Sequence, residues 1–294
     1  MAKHIFWLAS YPKSGNTLLR AIISSLFFTE NGIFNFKLLE SISQFESTYN
    51  IYKIKKNIGD DLYKLNNISI FYKYLLKIQE KNNLNFKEDF KFYKSHSGNF
   101  SIENNPFTSD KNIRGVIYVI RDPRDVCVSW ANHSGSSYDQ SINFMTNELQ
   151  SLLWIKGKNN IFEDHNMPLS FLSSWDKHVT SWTANNWTFP LLIIKFEDLI
   201  DNKEESIRII ANFFIEKFGF QFQNLDEKIV NILKTTKFEK LKEKELKDGF
   251  DEAQEDRKFF KSGRKEQWIN KLNKSQILKI NEKFKIVMNK FNYK

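Results

Sequence analysis

Residues Trp7 to Thr17 read WLASYPKSGNT, and the fold class follows from how this stretch is built. An apolar run from His4 to Ala9 has the length of a strand, and Leu18, Leu19, Ile22, Ile23 and Leu26 recur at the spacing of one helix face that would pack on a sheet. Between them lies a tight turn carrying a proline, a lysine, a glycine and hydroxyls. A loop that runs from a strand into a helix N-terminus gathers backbone N–H groups at the positive end of the helix dipole. Ser14, Gly15, Asn16 and Thr17 therefore read as an anion cradle, with Lys13 adding a full positive charge. The bland alternative is a plain turn, because Pro-Lys-Ser-Gly is also ordinary turn chemistry.

The same grammar returns at Gly115–Trp130, GVIYVIRDPRDVCVSW. Val116 to Ile120 is a continuous apolar run, as expected of a strand buried on both faces of a parallel sheet. Arg121 ends it, Asp122 and Pro123 form an N-cap and first-turn pair, and Ser129 follows two turns into the helix. Arg121 could fork onto a phosphate beside the Ser129 hydroxyl, or pair with Asp122 or Asp125 at the surface. Between the two, Phe90–His96 (FKFYKSH) alternates like a short strand and ends in Lys94, Ser95 and His96, a histidine placed at a strand's end where it can take a proton near neutral pH.

The order Tyr-Pro-Lys-Ser-Gly-Asn-Thr differs from the nucleotide-triphosphate loop, in which the lysine follows the second glycine. It resembles the 5′-phosphosulfate loop of the cytosolic-type sulfotransferases, YPKSGTTW, with Asn16 in place of the first threonine and Leu18 in place of the tryptophan. Arg121 and Ser129 match the family's 3′-phosphate motif, and Lys94-Ser95-His96 matches its KTH. FFKSGRKEQW, Phe259–Trp268, resembles the late RKGxxGxW loop, with Lys261, Ser262 and Gly263 in the places of its arginine, lysine and glycine. The segment ending in Phe196 resembles the family's YED, and Thr236 with Phe238 its adenine-contacting T-x-F. The run SWDKHVTSW, Ser174–Trp182, looks like a segment of bacterial members and reads as a helix with packed tryptophans.

The resemblance implies an α/β, P-loop-like fold with a central parallel sheet flanked by helices. It also implies in-line transfer of a sulfuryl group from 3′-phosphoadenosine 5′-phosphosulfate (PAPS) to a hydroxyl or amine. His96 would be the general base, Lys13 and Lys94 would attend the transferring group, and no metal would be needed. Lys13, Ser14, Gly15, Asn16, Thr17, Arg121, Ser129, Phe196, Thr236, Phe238, Lys261, Ser262 and Gly263 would hold the donor. One domain over 1–294 is expected, with acceptor-pocket insertions near 30–88 and 132–173 and a charged lid near 226–265. A fourth strand is expected at Leu191–Phe196, with a helix starting near Asn202.

Composition narrows the alternatives. Formal net charge is +9, which suits a polyanionic ligand and equally nucleic acid or an acidic membrane. The 44 basic residues are overwhelmingly lysine, beside abundant asparagine, isoleucine and phenylalanine as an AT-rich genome would give, which undercuts both inferences, and no nucleic-acid motif appears. Cys127, alone of its kind, excludes a disulfide framework and is expected to be a buried small hydrophobe. No apolar stretch reaches membrane-spanning length and the first residues lack a secretory pattern, so a cytoplasmic protein is expected. The partner would be a small-molecule, glycan or lipid-linked acceptor. Two other classes stay open: a metal-dependent nucleotide kinase or hydrolase, and a non-catalytic nucleotide-binding protein of the same fold.

Overall fold

The computed structural model describes residues 3–46, 68–84, 89–153, 168–184, 187–250, 253 and 258–294. Its strands are β1 (Ile5–Ser10), β2 (Lys91–Ser95), the short pair β3 (Ser101–Ile102) and β4 (Asn105–Pro106), β5 (Ile113–Ile120), the short pair β6 (Ser151–Leu153) and β7 (Pro168–Phe171), and β8 (Leu191–Lys195). Its α-helices are α1 (Asn16–Phe28), α2 (Ile68–Ile78), α3 (Lys81–Leu84), α4 (Pro123–Ser134), α5 (Tyr138–Thr146), α6 (Trp175–Thr183), α7 (Phe196–Asp201), α8 (Lys203–Phe218), α9 (Leu225–Thr235), α10 (Phe238–Asp248) and α11 (Lys274–Lys290). Four strands form the central parallel sheet in the order β2-β1-β5-β8. Three of them, β1, β5 and β8, are each followed by a helix, which is the chain order of a doubly covered parallel sheet. The expected first strand is shifted by one residue, the fourth ends one residue early at Lys195, and the helix expected near Asn202 is α8, with Asn202 as its N-cap, after the additional short helix α7.

The chain groups into two compact units that alternate along the sequence. The first comprises Met1–Tyr11, Ser43–Tyr118 and Phe144–Leu191. Within it β1 pairs with β2 in the register Ile5↔Lys91 to Ala9↔Ser95, and Val116 N–H donates to the Pro190 carbonyl at the approach to β8. Every residue of β1 is buried, and Trp7 lies edge-on to Phe45 with centroids 5.0 Å apart. At roughly 1.5–3 kcal/mol per fully buried large apolar side chain, this layer is the main stabilising term of the unit. Trp175 and Trp182 of α6 are fully buried, as their segment predicts.

The second unit comprises Pro12–Ile42, Val119–Asn143 and Leu192–Lys294. Of the α1 stripe, Leu19, Ile22, Ile23 and Leu26 are buried, and Leu18 is partly exposed. Asp122 caps α4 by accepting from Arg124 N–H at 2.8 Å with Pro123 in the first turn, and Gly135 in the left-handed region closes it. Asn273 and Gln276 form a capping box at the start of α11. Within the stretch expected as a lid, Leu241 of α10 packs in a core cluster with Ala21, Phe34, Leu39 and Phe260. Of the expected acceptor-pocket insertions, 47–67, 85–88 and 154–167 lie outside the described residues. Phe34 and Tyr72 are core residues. Cys127 is buried and its thiol is pushed up to about 11 by burial. Among the described residues no helix is long and apolar enough to cross a membrane.

Candidate anion cradle and histidine site

In the second unit the turn after Pro12 enters α1 through two left-handed residues, Lys13 at φ 65° and Gly15 at φ 102°. A lysine in that region is held there against a cost of about 1–2 kcal/mol, strain of the kind that collects at ligand-binding loops. Gly15 is the N-cap, and its carbonyl accepts from Leu18 and Leu19. A Cβ at Gly15 would stand 2.4 Å from Cδ2 of Phe196, so only glycine lets the loop lie on that ring. Ser14 Oγ is buried here without a hydrogen-bond partner. Asn16 and Thr17 are buried in the first turn of α1, and the Lys13 ammonium rests 4.1 Å from the centroid of Phe259.

Arg121, delivered by the carboxyl end of β5, is 5% exposed and not the surface ion-pair member of the simpler reading. Its guanidinium lies 4.2 Å over the Phe196 ring and donates to the carbonyls of Lys13 at 3.1 Å and Arg264 at 3.0 Å. It therefore ties the cradle to the late loop. Its Nε is buried with no partner, and burial lowers the guanidinium pKa against the pull of Asp125, 3.9 Å away. Asp125 grips the late loop a second time, accepting from Glu266 N–H at 2.7 Å and Trp268 N–H at 3.2 Å. Burial raises its carboxyl pKa while Arg121 and those N–H groups draw it down.

The late loop brings Lys261 to α4, where its ammonium donates to Asn132 Oδ1 at 3.0 Å. Ser129 sits three residues earlier, on the same face of α4 and partly exposed. Gly263 has φ 60°, and a Cβ there would meet Phe238 at 2.1 Å. Ser262, between them, is partly buried. Glu245 of α10 holds the start of the loop by accepting from Phe260 N–H at 2.9 Å and from Phe259 N–H. Phe196 packs against Gly15 and under Arg121. Thr236 is buried at the end of α9 and donates to the Ile232 carbonyl at 2.6 Å, while its own carbonyl accepts from Lys203 at 2.7 Å. Glu245 and Phe259 are participants that sequence reasoning missed, whereas Asp125, four residues after Arg121, is an ion-pair partner that the simpler reading offered.

The first unit holds His96. The β1–β2 register, extended by one pair, sets it opposite Ser10, and its Nδ1 lies 2.9 Å from the Ser10 carbonyl. A carbonyl only accepts, so Nδ1 carries the proton and Nε2 is the basic nitrogen. The backbone of His96 is also held: its carbonyl accepts from His178 Nε2 at 2.9 Å. His178 is fully buried, pushed down to about 4 by burial, and its Nδ1 accepts from the Tyr118 hydroxyl at 2.8 Å. Lys94 is buried in β2, and its backbone pairs with Ser43 and Phe45. His4 is a core histidine, 2.7 Å from the Gln79 carbonyl, and His165 lies outside the described residues.

Among solved structures the fold is similar to mouse sulfotransferase SULT7A1 complexed with PAP, at 19% identity and TM-score 0.59 over 97% of this chain and 84% of that one. It is also similar to retinol dehydratase with retinol and PAP, at 16% identity and TM-score 0.56 over 98% and 82% of the two chains. A second retinol dehydratase complex, with androsterone and inactive cofactor PAP, aligns at 16% identity and TM-score 0.53 over 98% and 81%. At such identities the likeness is one of fold. The family match is more specific, because the sulfotransferase domain family matches residues 3–292 and so takes in the cradle, Arg121, His96 and the late loop together. The chain belongs to the sulfotransferase family.

Proposed function

We propose that this protein transfers a sulfuryl group from PAPS to a hydroxyl or amine of a small-molecule, glycan or lipid-linked acceptor, with His96 as general base. The observation that carries the donor side is the pair of buried, unpartnered polar atoms, Ser14 Oγ and Arg121 Nε, in a loop cluster that also holds Lys13 and the first turn of α1. Such atoms are costly unless hydrogen-bonded, and a phosphate would supply the acceptors. The residues thus fit a bis-phosphate donor: Ser14, Gly15, Asn16 and Thr17 for the 5′-phosphosulfate end, and Arg121, Ser129, Lys261, Ser262 and Gly263 for the 3′-phosphate. Phe196, Thr236 and Phe238 are the proposed adenine neighbours. PAP in the structures of similar fold supports the same donor.

When bound, PAPS supplies the activated sulfuryl group. The chain then has to position and stabilise charge, since a loose transition state needs little covalent help. Lys13 stabilises negative charge on the leaving oxygen, a task for which it leaves the Phe259 ring, and Lys94 attends the transferring group. His96 Nε2 accepts the acceptor's proton while Nδ1–H stays on the Ser10 carbonyl. What supports joining this histidine to the cradle is the order of matched motifs along one family domain. The acceptors in the retinol dehydratase structures, retinol and androsterone, support an apolar alcohol as one candidate class. A cytoplasmic setting completes the proposal.

The test is transfer of label from 35S-PAPS to a panel of phenols, sterol and polyprenyl alcohols, sugars and amines, by wild type and His96→Gln. The expected result is transfer to one class, reduced by roughly 10²–10⁴-fold in the variant while PAP affinity is kept. Full transfer by His96→Gln would remove the general-base assignment. Turnover of ATP with magnesium in place of PAPS would favour the kinase reading.

A further inference from the structure

Glu46 has no part in the motifs, yet it is 0% exposed. Burying a carboxyl costs several kcal/mol unless its environment answers it. What answers it here is a single short stretch. Gln44 bridges Lys94 in parallel, and Phe45 N–H donates to the Lys94 carbonyl at 2.9 Å, so the chain at 43–46 lies along the end of β2 like an added edge strand. Phe45, buried against Trp7 and Tyr93, locks that register. The next residue is Glu46. Its Oε1 accepts from Ser95 Oγ at 2.5 Å, from Ser97 N–H at 3.2 Å and from Ser97 Oγ at 2.7 Å. All three donors belong to the residues immediately before and after His96.

We infer that Glu46 is a positioning residue for His96: one carboxyl oxygen clamps the chain on both sides of the histidine and so fixes the ring on the Ser10 carbonyl. The inference rests on His96 being the general base only for its catalytic meaning, since the clamp itself is a matter of geometry. Three further bonds hold the same three residues, from His178 to the His96 carbonyl, from Trp182 Nε1 to the Ser97 carbonyl at 2.9 Å and from Ser97 N–H to Ser95 Oγ at 3.0 Å. Only the last spans the histidine, and its acceptor is the hydroxyl that Glu46 itself orients by accepting from it. Burial raises the Glu46 pKa against those hydrogen bonds, so glutamine is a close isostere of its neutral form.

The experiment is imidazole 15N spectroscopy on the full-length protein as wild type, Glu46→Gln and Glu46→Ala, with His96 assigned by loss of its signals in His96→Gln. Wild type should show the Nδ1–H tautomer. Glu46→Gln keeps an acceptor oxygen for the three donors and should keep that tautomer, whereas Glu46→Ala should mix the two forms and speed exchange of the Ser97 amide roughly tenfold or more. If Glu46→Ala does not fold, the Ser95→Ala/Ser97→Ala double variant removes two of the three donors and should mix the tautomers in its place. An unchanged His96 spectrum in Glu46→Ala, or in the double variant where that is the one that folds, would overturn the inference even with faster Ser97 exchange, leaving Glu46 a purely structural group. Failure of the general-base reading shows separately, as undiminished 35S transfer by His96→Gln.

Discussion

Replacing Gly15 by alanine perturbs the cradle at its tightest point. The backbone there has φ 102°, outside the wells that a Cβ tolerates, which costs about 2–3 kcal/mol. The new methyl would also stand 2.4 Å from Phe196 Cδ2, and displacing a buried ring in a packed site adds about 1–3 kcal/mol. Gly219 is the matched control, since it has φ 71° but a methyl added there would meet nothing within 4 Å, so Gly219→Ala carries backbone strain of about 1–2 kcal/mol alone. At roughly 2 °C per kcal/mol for a chain of this size, thermal denaturation should place Gly15→Ala roughly 6–12 °C below wild type and Gly219→Ala roughly 2–4 °C below. Phe196 also supports the Arg121 guanidinium, so the damage should reach ligand binding. Titration with PAP should show roughly tenfold or greater weakening for Gly15→Ala and none for Gly219→Ala. Equal melting temperatures and equal PAP affinities for the two variants would refute the reasoning that Gly15 is there for closeness to Phe196.

Two other outcomes follow from buried groups outside the motifs. His178 has a folded pKa of about 4 against an ordinary value of 6.5, so between those values the unfolded chain binds the proton and stability falls as the pH drops. The loss should reach about 3 kcal/mol by pH 4, and denaturant titrations of His178→Asn should lack that part of the slope. Glu245→Ala would orphan the Phe259 and Phe260 N–H groups, so it should lower stability by roughly 2–4 kcal/mol and weaken PAP binding, since Lys261, Ser262 and Gly263 hang from that anchor. Amide exchange at Phe259 and Phe260 reads the same loss directly.

The α/β pattern was legible because two strand-to-helix junctions, β1 to α1 and β5 to α4, repeat one chemistry: an apolar run, then a polar turn, then a helix with an apolar face. Asp122-Pro123 announced α4, and the burial of Leu19, Ile22, Ile23 and Leu26 follows from their spacing. The candidate residues were legible only through motif order, since Lys261 or Thr236 alone would pass for surface and turn residues. What sequence could not show were contacts between distant segments. Glu46 meets Ser95 and Ser97 through a pairing of 43–46 with β2 that has no periodic signature. Nothing in the helical run SWDKHVTSW signals that the Nε2 of His178 meets the His96 carbonyl. Arg121 was expected to face a phosphate, and it also bonds the Lys13 and Arg264 carbonyls, a bridging role set by tertiary packing. The expected helix begins after Asn202, and the additional short helix α7, which carries Phe196 onto Gly15, had no signal of its own in the apolar run.

The decisive experiment is calorimetric titration of wild type, Lys13→Ala and Arg121→Ala with PAP, with ATP and magnesium as the control ligand. Specific PAP binding by wild type, weakened roughly tenfold or more by each substitution, is the expected result for a cradle that holds both phosphates of the donor. Indifference to PAP, or tighter binding of ATP, would contradict the PAPS assignment.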